Sequence, residues 1–234
     1  MEKKKIGFMI TSDLVIYSFL DLSKTLLTNS DAYKVYFENG TIFDFLYELD
    51  KYRTMHLRKI FIESDSFIVF CYKAVYFINP YLPFFFKGKR LNNFSSICQN
   101  ALLLCPNIDP IVDALIKNKI FTYFLRIKGD ISSPIFKVLK KIEEDYKINP
   151  LISYYEFCYL YSDDKSFVYH GNKYRSIEIF MQIMMDSEEA RQFLADNFSR
   201  DYNYFLVSLY KVRKSDIIKD YENLISLKEE YKVK

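Results

Sequence analysis

A chain of 234 residues that is 50% hydrophobic and 27% charged can bury a sizeable core, which excludes an intrinsically disordered protein. Five Gly and six Pro exclude collagen-like and low-complexity architecture, and four Cys without a short-spaced pair exclude a disulfide scaffold. With 33 basic against 30 acidic residues, the net charge of +3 is too mild for a protein that coats nucleic acid.

Tyr (21) and Phe (22) supply all of the 18% aromatic content, and Trp is absent. Together with an excess of Lys over Arg, this bias is what AT-rich coding produces. Its physical consequence is a core built from rings, each burying about 150–250 Å². The lysines of Met1–Lys5 resemble a signal n-region, but Thr11, Ser12 and Asp13 soon break the apolar stretch after them. A secretory signal needs roughly 7–15 apolar residues there. Ala74–Phe86 is interrupted by Asn79, Pro80 and Pro83, short of the ~20 apolar residues of a spanning helix. The expected location is cytoplasmic, without membrane insertion and with the cysteines reduced.

In chain order, Thr11-Ser12-Asp13 reads as a helix cap, and the apolar spacing from Leu14 to Leu27 predicts the helix behind it. Tyr33–Phe37 alternates as a strand does, and Asn39-Gly40 signals a turn. Thr41 opens a second helix that turns Ile42, Phe43, Phe45, Leu46 and Leu49 inward. Leu57–Ile62 and Phe67–Ile78 then read as two strands, the second rich in β-branched and aromatic residues as a central strand is.

Residues 79–90 read as an irregular connection, and 92–105 and 110–125 as helices. Ser132-Ser133-Pro134 starts another helix that reaches about Tyr146. Asn149-Pro150 marks a boundary, after which Leu151–Tyr161 and Phe167–His170 read as a hairpin around Ser162–Lys165. Helices follow at Ser176–Met185 and Ser187–Phe198. Tyr202–Val212 fits strand or helix, and Ser215–Tyr231 reads as a charged terminal helix. The class is α+β, with two small strand-bearing regions flanking a helical middle and a terminal charged helix. Residues 1–149 form an N-terminal α+β region with a helical segment, and 150–234 a C-terminal hairpin plus helices; one compact domain can hold both. No repeat of fixed period is evident.

Chemistry-bearing motifs are sparse. Zinc sites usually bring two ligands in one short motif, whereas His56, His170, Cys71, Cys98, Cys105 and Cys158 fall in separate elements or two helical turns apart. These cysteines read as small core hydrophobes. Cys158 and His170, on facing strands of the expected hairpin with Asp163 or Asp164 nearby, form a nucleophile–base pair only in one register. Five scattered Gly leave no phosphate-cradling loop, and no Gly-x-Ser-x-Gly context occurs. The acidic run Glu143-Glu144-Asp145 reads as a solvated helix face. No catalytic, cofactor-binding or metal-binding residue is assigned, and no cofactor is expected.

Basic clusters stand at Lys3–Lys5, Lys87-Gly88-Lys89-Arg90, Lys137-Lys140-Lys141 and Lys211-Arg213-Lys214. The second follows the most unusual local sequence of the chain, Asn79-Pro80-Tyr81-Leu82-Pro83-Phe84-Phe85-Phe86, where each proline holds its predecessor extended. Either these rings fold inward or a partner covers them. At least two of Phe84, Phe85 and Phe86 are expected to be buried, with Tyr81 at the surface. Tyr81, Phe84, Phe85, Phe86, Lys87, Lys89 and Arg90 form the candidate interaction loop.

The order turn, helix, strand, strand from Asn39 to Asn79 rests on Gly40-Thr41-Ile42-Phe43-Asp44-Phe45-Leu46-Tyr47-Glu48-Leu49, on Leu57-Arg58-Lys59-Ile60-Phe61-Ile62 and on Val75-Tyr76-Phe77-Ile78. This order resembles the core of the PATAN-type domain of bacterial regulatory proteins. Arg53-Thr54-Met55-His56 stands where that pattern has a Lys-Thr-Gly turn. The resemblance implies a non-enzymatic signalling or protein-interaction role and transfers no site residue. The reading is a non-enzymatic regulatory or protein-interaction protein that acts through a surface. The alternative is a nucleic-acid-associated protein of an AT-rich bacterial, plasmid or viral genome. A protein partner is expected first, a second copy of the chain being one candidate, and weak nucleic-acid binding stays open. Charge geometry discriminates: a single basic face favours nucleic acid, and scattered lysines favour protein.

Overall fold

The structure, a computed structural model, describes residues 6–91, 94, 97, 109–148, 150–161, 167–197 and 206. Among these residues the fold is α+β and dominated by helices, with three separate two-stranded antiparallel hairpins. The chain divides into two compact units, residues 1–93 with 117–140, and residues 94–116 with 141–234.

The first unit opens with a hairpin of β1 (Phe8–Thr11) and β2 (Leu14–Ile16), followed by α1 (Phe19–Thr25), α2 (Ser30–Glu38), α3 (Thr41–Leu49), α4 (Lys51–Ile62) and α5 (Phe67–Ile78). Side chains set the helix starts: Ser18 accepts from the Asp21 amide at 3.1 Å, Asp50 from Arg53 at 2.9 Å and Ser66 from Val69 at 3.5 Å. α5 is the centre. Val69, Phe70, Cys71, Tyr72, Ala74, Val75 and Tyr76 are all buried on it, as a helix that is apolar all round requires. Phe37 of α2 collects the rings of Phe43, Phe61 and Phe70 at 5.2, 6.1 and 4.7 Å.

Beyond α5 stand β3 (Phe84–Phe86) and β4 (Lys89–Leu91), then α6 (Pro110–Lys117), α7 (Ile120–Ile127) and α8 (Pro134–Asp145). α7 runs parallel to α5. Lys117 pairs with Asp65 at 3.1 Å, the Tyr123 hydroxyl donates to the Lys73 carbonyl at 3.4 Å, and Lys128 donates to the Pro80 carbonyl at 2.8 Å.

The second unit contains α9 (Pro150–Tyr161), β5 (Phe167–Tyr169), β6 (Asn172–Tyr174), α10 (Ile177–Asp186) and α11 (Glu188–Asn197). Phe167 stacks on Phe180 at 5.0 Å and Tyr169 meets Phe193 edge-on at 4.9 Å. The Tyr146 hydroxyl donates to the Asp113 carboxylate at 2.9 Å, and Tyr154 accepts from the Asp109 amide at 3.1 Å.

Each unit carries the same device. A helix with Phe-Cys-Tyr, its cysteine buried (Cys71, Cys158), precedes a hairpin whose first strand opens with a buried Phe (Phe84, Phe167). Both hairpins close through an X-Gly pair with positive φ at both residues, 47° and 74° at Lys87-Gly88, 47° and 75° at His170-Gly171. That is the geometry of a type I′ turn, which the twist of short antiparallel strands selects. The likeness escapes a search for a fixed period because the spacing between the two landmarks differs.

Several expected elements are corrected. Leu57–Ile62 and Phe67–Ile78 are not strands: they belong to α4 and α5, so the segment from Asn39 to Asn79 holds three helices. Aromatic and β-branched residues gave α5 the composition of a strand, whereas its 12 residues and all-round burial are those of a core helix. Tyr33–Phe37 lies within α2, and Leu151–Tyr161 is α9, which moves the second hairpin to Phe167–Tyr174. The first helix starts at Phe19, because Leu14–Ile16 pairs with Phe8–Thr11. The helix expected over 110–125 is broken at Lys119, which is left-handed at φ 57°. Residues 79–90 are not irregular throughout, since Phe84–Phe86 is a strand. The helix expected at 215–231, Cys98 and Cys105 lie outside the described residues, as do 92–105 apart from residues 94 and 97 and 202–212 apart from residue 206. Among the described residues no helix is long and apolar enough to cross a membrane.

Candidate functional site

The hairpin of β3 and β4 is built on α5 and α7. Its register pairs Phe84 with Leu91, Phe85 with Arg90 and Phe86 with Lys89. Alternation sends Phe84 inward, where its ring meets Tyr72, Tyr76, Phe121 and Phe124 at centroid distances of 5.3, 6.0, 5.5 and 5.1 Å. Phe84 thereby wedges the hairpin between the two helices. The outer edge of β3 is satisfied by tyrosines one turn apart on α5. The Tyr72 hydroxyl donates to the Phe85 carbonyl at 2.7 Å, while the Tyr76 hydroxyl accepts from the Phe85 amide at 3.3 Å and donates to the Pro83 carbonyl at 3.2 Å. Burial raises the Tyr76 hydroxyl well above its ordinary pKa, so it remains a donor throughout the physiological range. An edge strand held this way has no open donors toward α5.

What the hairpin presents outward is cationic and aromatic. Lys87, Lys89 and Arg90 are exposed, and Phe85 and Phe86 are half-buried. Of the three rings only Phe84 is fully buried, one fewer than expected: Phe85 lies on the other face of the strand, and Phe86, on the Phe84 side, stands at the tip beside the Lys87-Gly88 turn. Lys87 lies over the Phe86 ring at 5.3 Å. Tyr81, whose backbone amide donates to Asn79 Oδ1 at 3.2 Å, is 90% exposed.

The helix packed against the hairpin, α7, carries cations that the sequence clusters do not include. Lys119 and Lys128 flank α7, Arg126 lies in its last turn, and all three are exposed. Lys128 lies over the Phe124 ring at 5.3 Å beside the Pro80 carbonyl, and partial desolvation lowers its pKa. Within the described parts of this unit, residues 66–91 and 117–129 contain no Asp or Glu. Acidic residues outnumber basic ones in residues 6–65 of the same unit. The mild net charge of +3 therefore conceals a segregated distribution. Lys119, Arg126 and Lys128 were missed because they join the hairpin only once α7 lies along α5. The legible signal was the run without acid from 66 to 108.

The other sequence candidates do not converge. Cys158 is buried in α9, while His170 occupies the β5–β6 turn with its Nε2 3.3 Å from Glu189; the facing-strand dyad is not formed, since Cys158 is in no strand. Lys137, Lys140 and Lys141 are exposed along α8. Glu143 is buried, and Glu144 exposed. Lys3–Lys5 and Lys211–Lys214 lie outside the described residues. Among the described residues no group of three or more His, Cys, Asp or Glu side chains is arranged to hold a metal ion. The turn of the second hairpin faces an acid, Glu189, whereas that of the first stands among cations. The two copies of one device thus differ at their tips. Compared with known proteins, the chain matches no family model, no curated protein and no solved structure.

Proposed function

We propose that this chain is a non-enzymatic interaction protein that works through the outer face of the β3–β4 hairpin and α7, and that its partner carries negative charge there. The observation that carries the reading is the segregation of charge. Cations gather on a braced hairpin with half-buried and exposed rings and along α7, in segments (66–91 and 117–129) that contain no Asp or Glu and are bounded by Asp65, which pairs with Lys117, and by Asp130. A purely solvated surface has no need to exclude one sign of charge, and a face of one sign attracts partners of the other and accelerates their encounter. By composition alone a protein partner comes first. A single basic face is the feature that favours nucleic acid, the second reading.

Two variants of equal net charge test the proposal. One carries Lys87→Gln, Lys89→Gln and Arg90→Gln; the other carries Lys24→Gln, Lys34→Gln and Lys59→Gln, all exposed positions on the acid-rich part of the unit. Each removes three cations from a chain of charge +3. On immobilised heparin the hairpin variant should elute at clearly lower salt than wild type and the second variant near it. Equal losses would reduce the face to a net-charge effect and overturn the reading.

A further inference from the structure

Resting on that reading, we infer that the anionic partner of the hairpin face is single-stranded nucleic acid. Three features favour it over other polyanions. The first is adjacency across the ribbon. Tyr81, Phe85 and Phe86 are followed within ten residues of chain by Lys87, Lys89 and Arg90, and the strand register sets Phe85 opposite Arg90 and Phe86 opposite Lys89. Single-strand binding combines a cationic track for the backbone with rings on which bases stack.

The second feature is the position of the Tyr81 ring. It is 90% exposed. Unpaired bases offer a π-face to such a ring; a duplex presents only base edges in its grooves, and an acidic peptide offers neither. The third is the layout of charge. The cations sit on a hairpin and around a helix of eight residues, Ile120–Ile127, rather than in a row along one exposed helix. Among the described residues this face has no long basic helix to lie in a major groove. The rigid base matters as well. With Phe84 wedged among four rings and the β3 edge bound by Tyr72 and Tyr76, the backbone that carries Phe85, Phe86 and the hairpin cations is held in place before the ligand arrives, which lowers the ordering cost of binding.

The test uses the full chain and a fluorescently labelled oligothymidylate of about 20 nucleotides, chosen because thymine runs stack weakly on themselves. Binding should appear at about 50 mM salt. For about four neutralised phosphates on a single strand it should weaken on the order of 50-fold by about 200 mM. The variant with Lys87→Gln, Lys89→Gln and Arg90→Gln should flatten the slope of log affinity against log salt by about two, since each lost contact on a single strand removes about 0.7. Tyr81→Ala should weaken binding at least about fivefold with an unchanged salt slope, because stacking carries no counterions. Both variants are first melted to establish that they fold, and Lys24→Gln serves as a neutralisation outside the face. Parallel titrations use a duplex of the same length and a poly-glutamate peptide. If either binds as tightly as the single strand, or if Tyr81→Ala binds unchanged, the assignment to single strands is overturned while the interaction face stands. If none of the three binds at about 50 mM salt, the face fails with it.

Discussion

Replacing Phe84 by alanine should destabilise the first unit by about 3–5 kcal/mol. The side chain is 2% exposed and is surrounded by the rings of Tyr72, Tyr76, Phe121 and Phe124. A buried Phe removes about 150–250 Å² from water, which at about 25 cal/mol per Å² corresponds to about 4–6 kcal/mol. The alanine keeps its Cβ, and a compact unfolded chain already hides part of the ring, so the lower end of that span applies. The cavity adds back part of the difference, since two packed helices cannot close fully over the gap. Phe85 provides the internal control: it lies on the other face of the same strand and is half-buried, so Phe85→Ala should cost about 1–2 kcal/mol. Urea unfolding followed by circular dichroism, with midpoints compared at constant slope, measures both. Equal costs at the two positions, or less than about 1 kcal/mol at Phe84, would refute the account of the hairpin as wedged by one inward ring.

Tyr72→Phe and Tyr76→Phe each delete a hydroxyl that bonds the β3 backbone and should cost about 1 kcal/mol or more in the same assay, Tyr76 more because its hydroxyl makes two of those bonds. Gly88→Ala meets open space but must hold φ at 74°, so a loss of about 1–2 kcal/mol from backbone strain alone is expected, without loss of expression. Burial, and the Asp113 carboxylate beside it, push the Tyr146 hydroxyl up to about 12. A phenol raised in the folded state contributes stability that is complete below the ordinary value near 10 and lost as pH rises toward 12. Wild type should therefore lose more stability between those pH values than Tyr146→Phe, measured by urea midpoints at each pH. Cys71 and Cys158 are both buried, and burial raises the Cys71 thiol, so in a chain carrying Cys98→Ala and Cys105→Ala, Ellman's reagent should react only on unfolding.

Helices with a polar side were legible from sequence. Thr41–Leu49 and Pro134–Asp145 alternate apolar and charged positions at helical period, and Ser187-Glu188-Glu189 announces α11. Buried elements were not. α5 and α9 have no polar face to reveal a period, and runs such as Phe67-Ile68-Val69-Phe70 favour strand by composition. The hairpins β3–β4 and β5–β6 carry strands of three residues, too short to show alternation, so their signal lay in the turns. Lys87-Gly88 and His170-Gly171 fit a two-residue turn, but without Asn or Asp before the glycine the signature is weak. The hairpin half of the candidate site was visible as a ring-rich stretch beside a basic cluster. Its α7 half depended on packing between residues about fifty positions apart, which local pattern does not encode.

Amide hydrogen exchange on the full chain, with and without saturating oligothymidylate, tests the central claim most directly. The hairpin face as binding surface predicts slower exchange in peptides covering residues 79–91 and 117–128, with residues 8–65 and 167–174 unchanged. Protection confined to residues 8–65 or 167–174, with 79–91 exchanging as in the free protein, would contradict it.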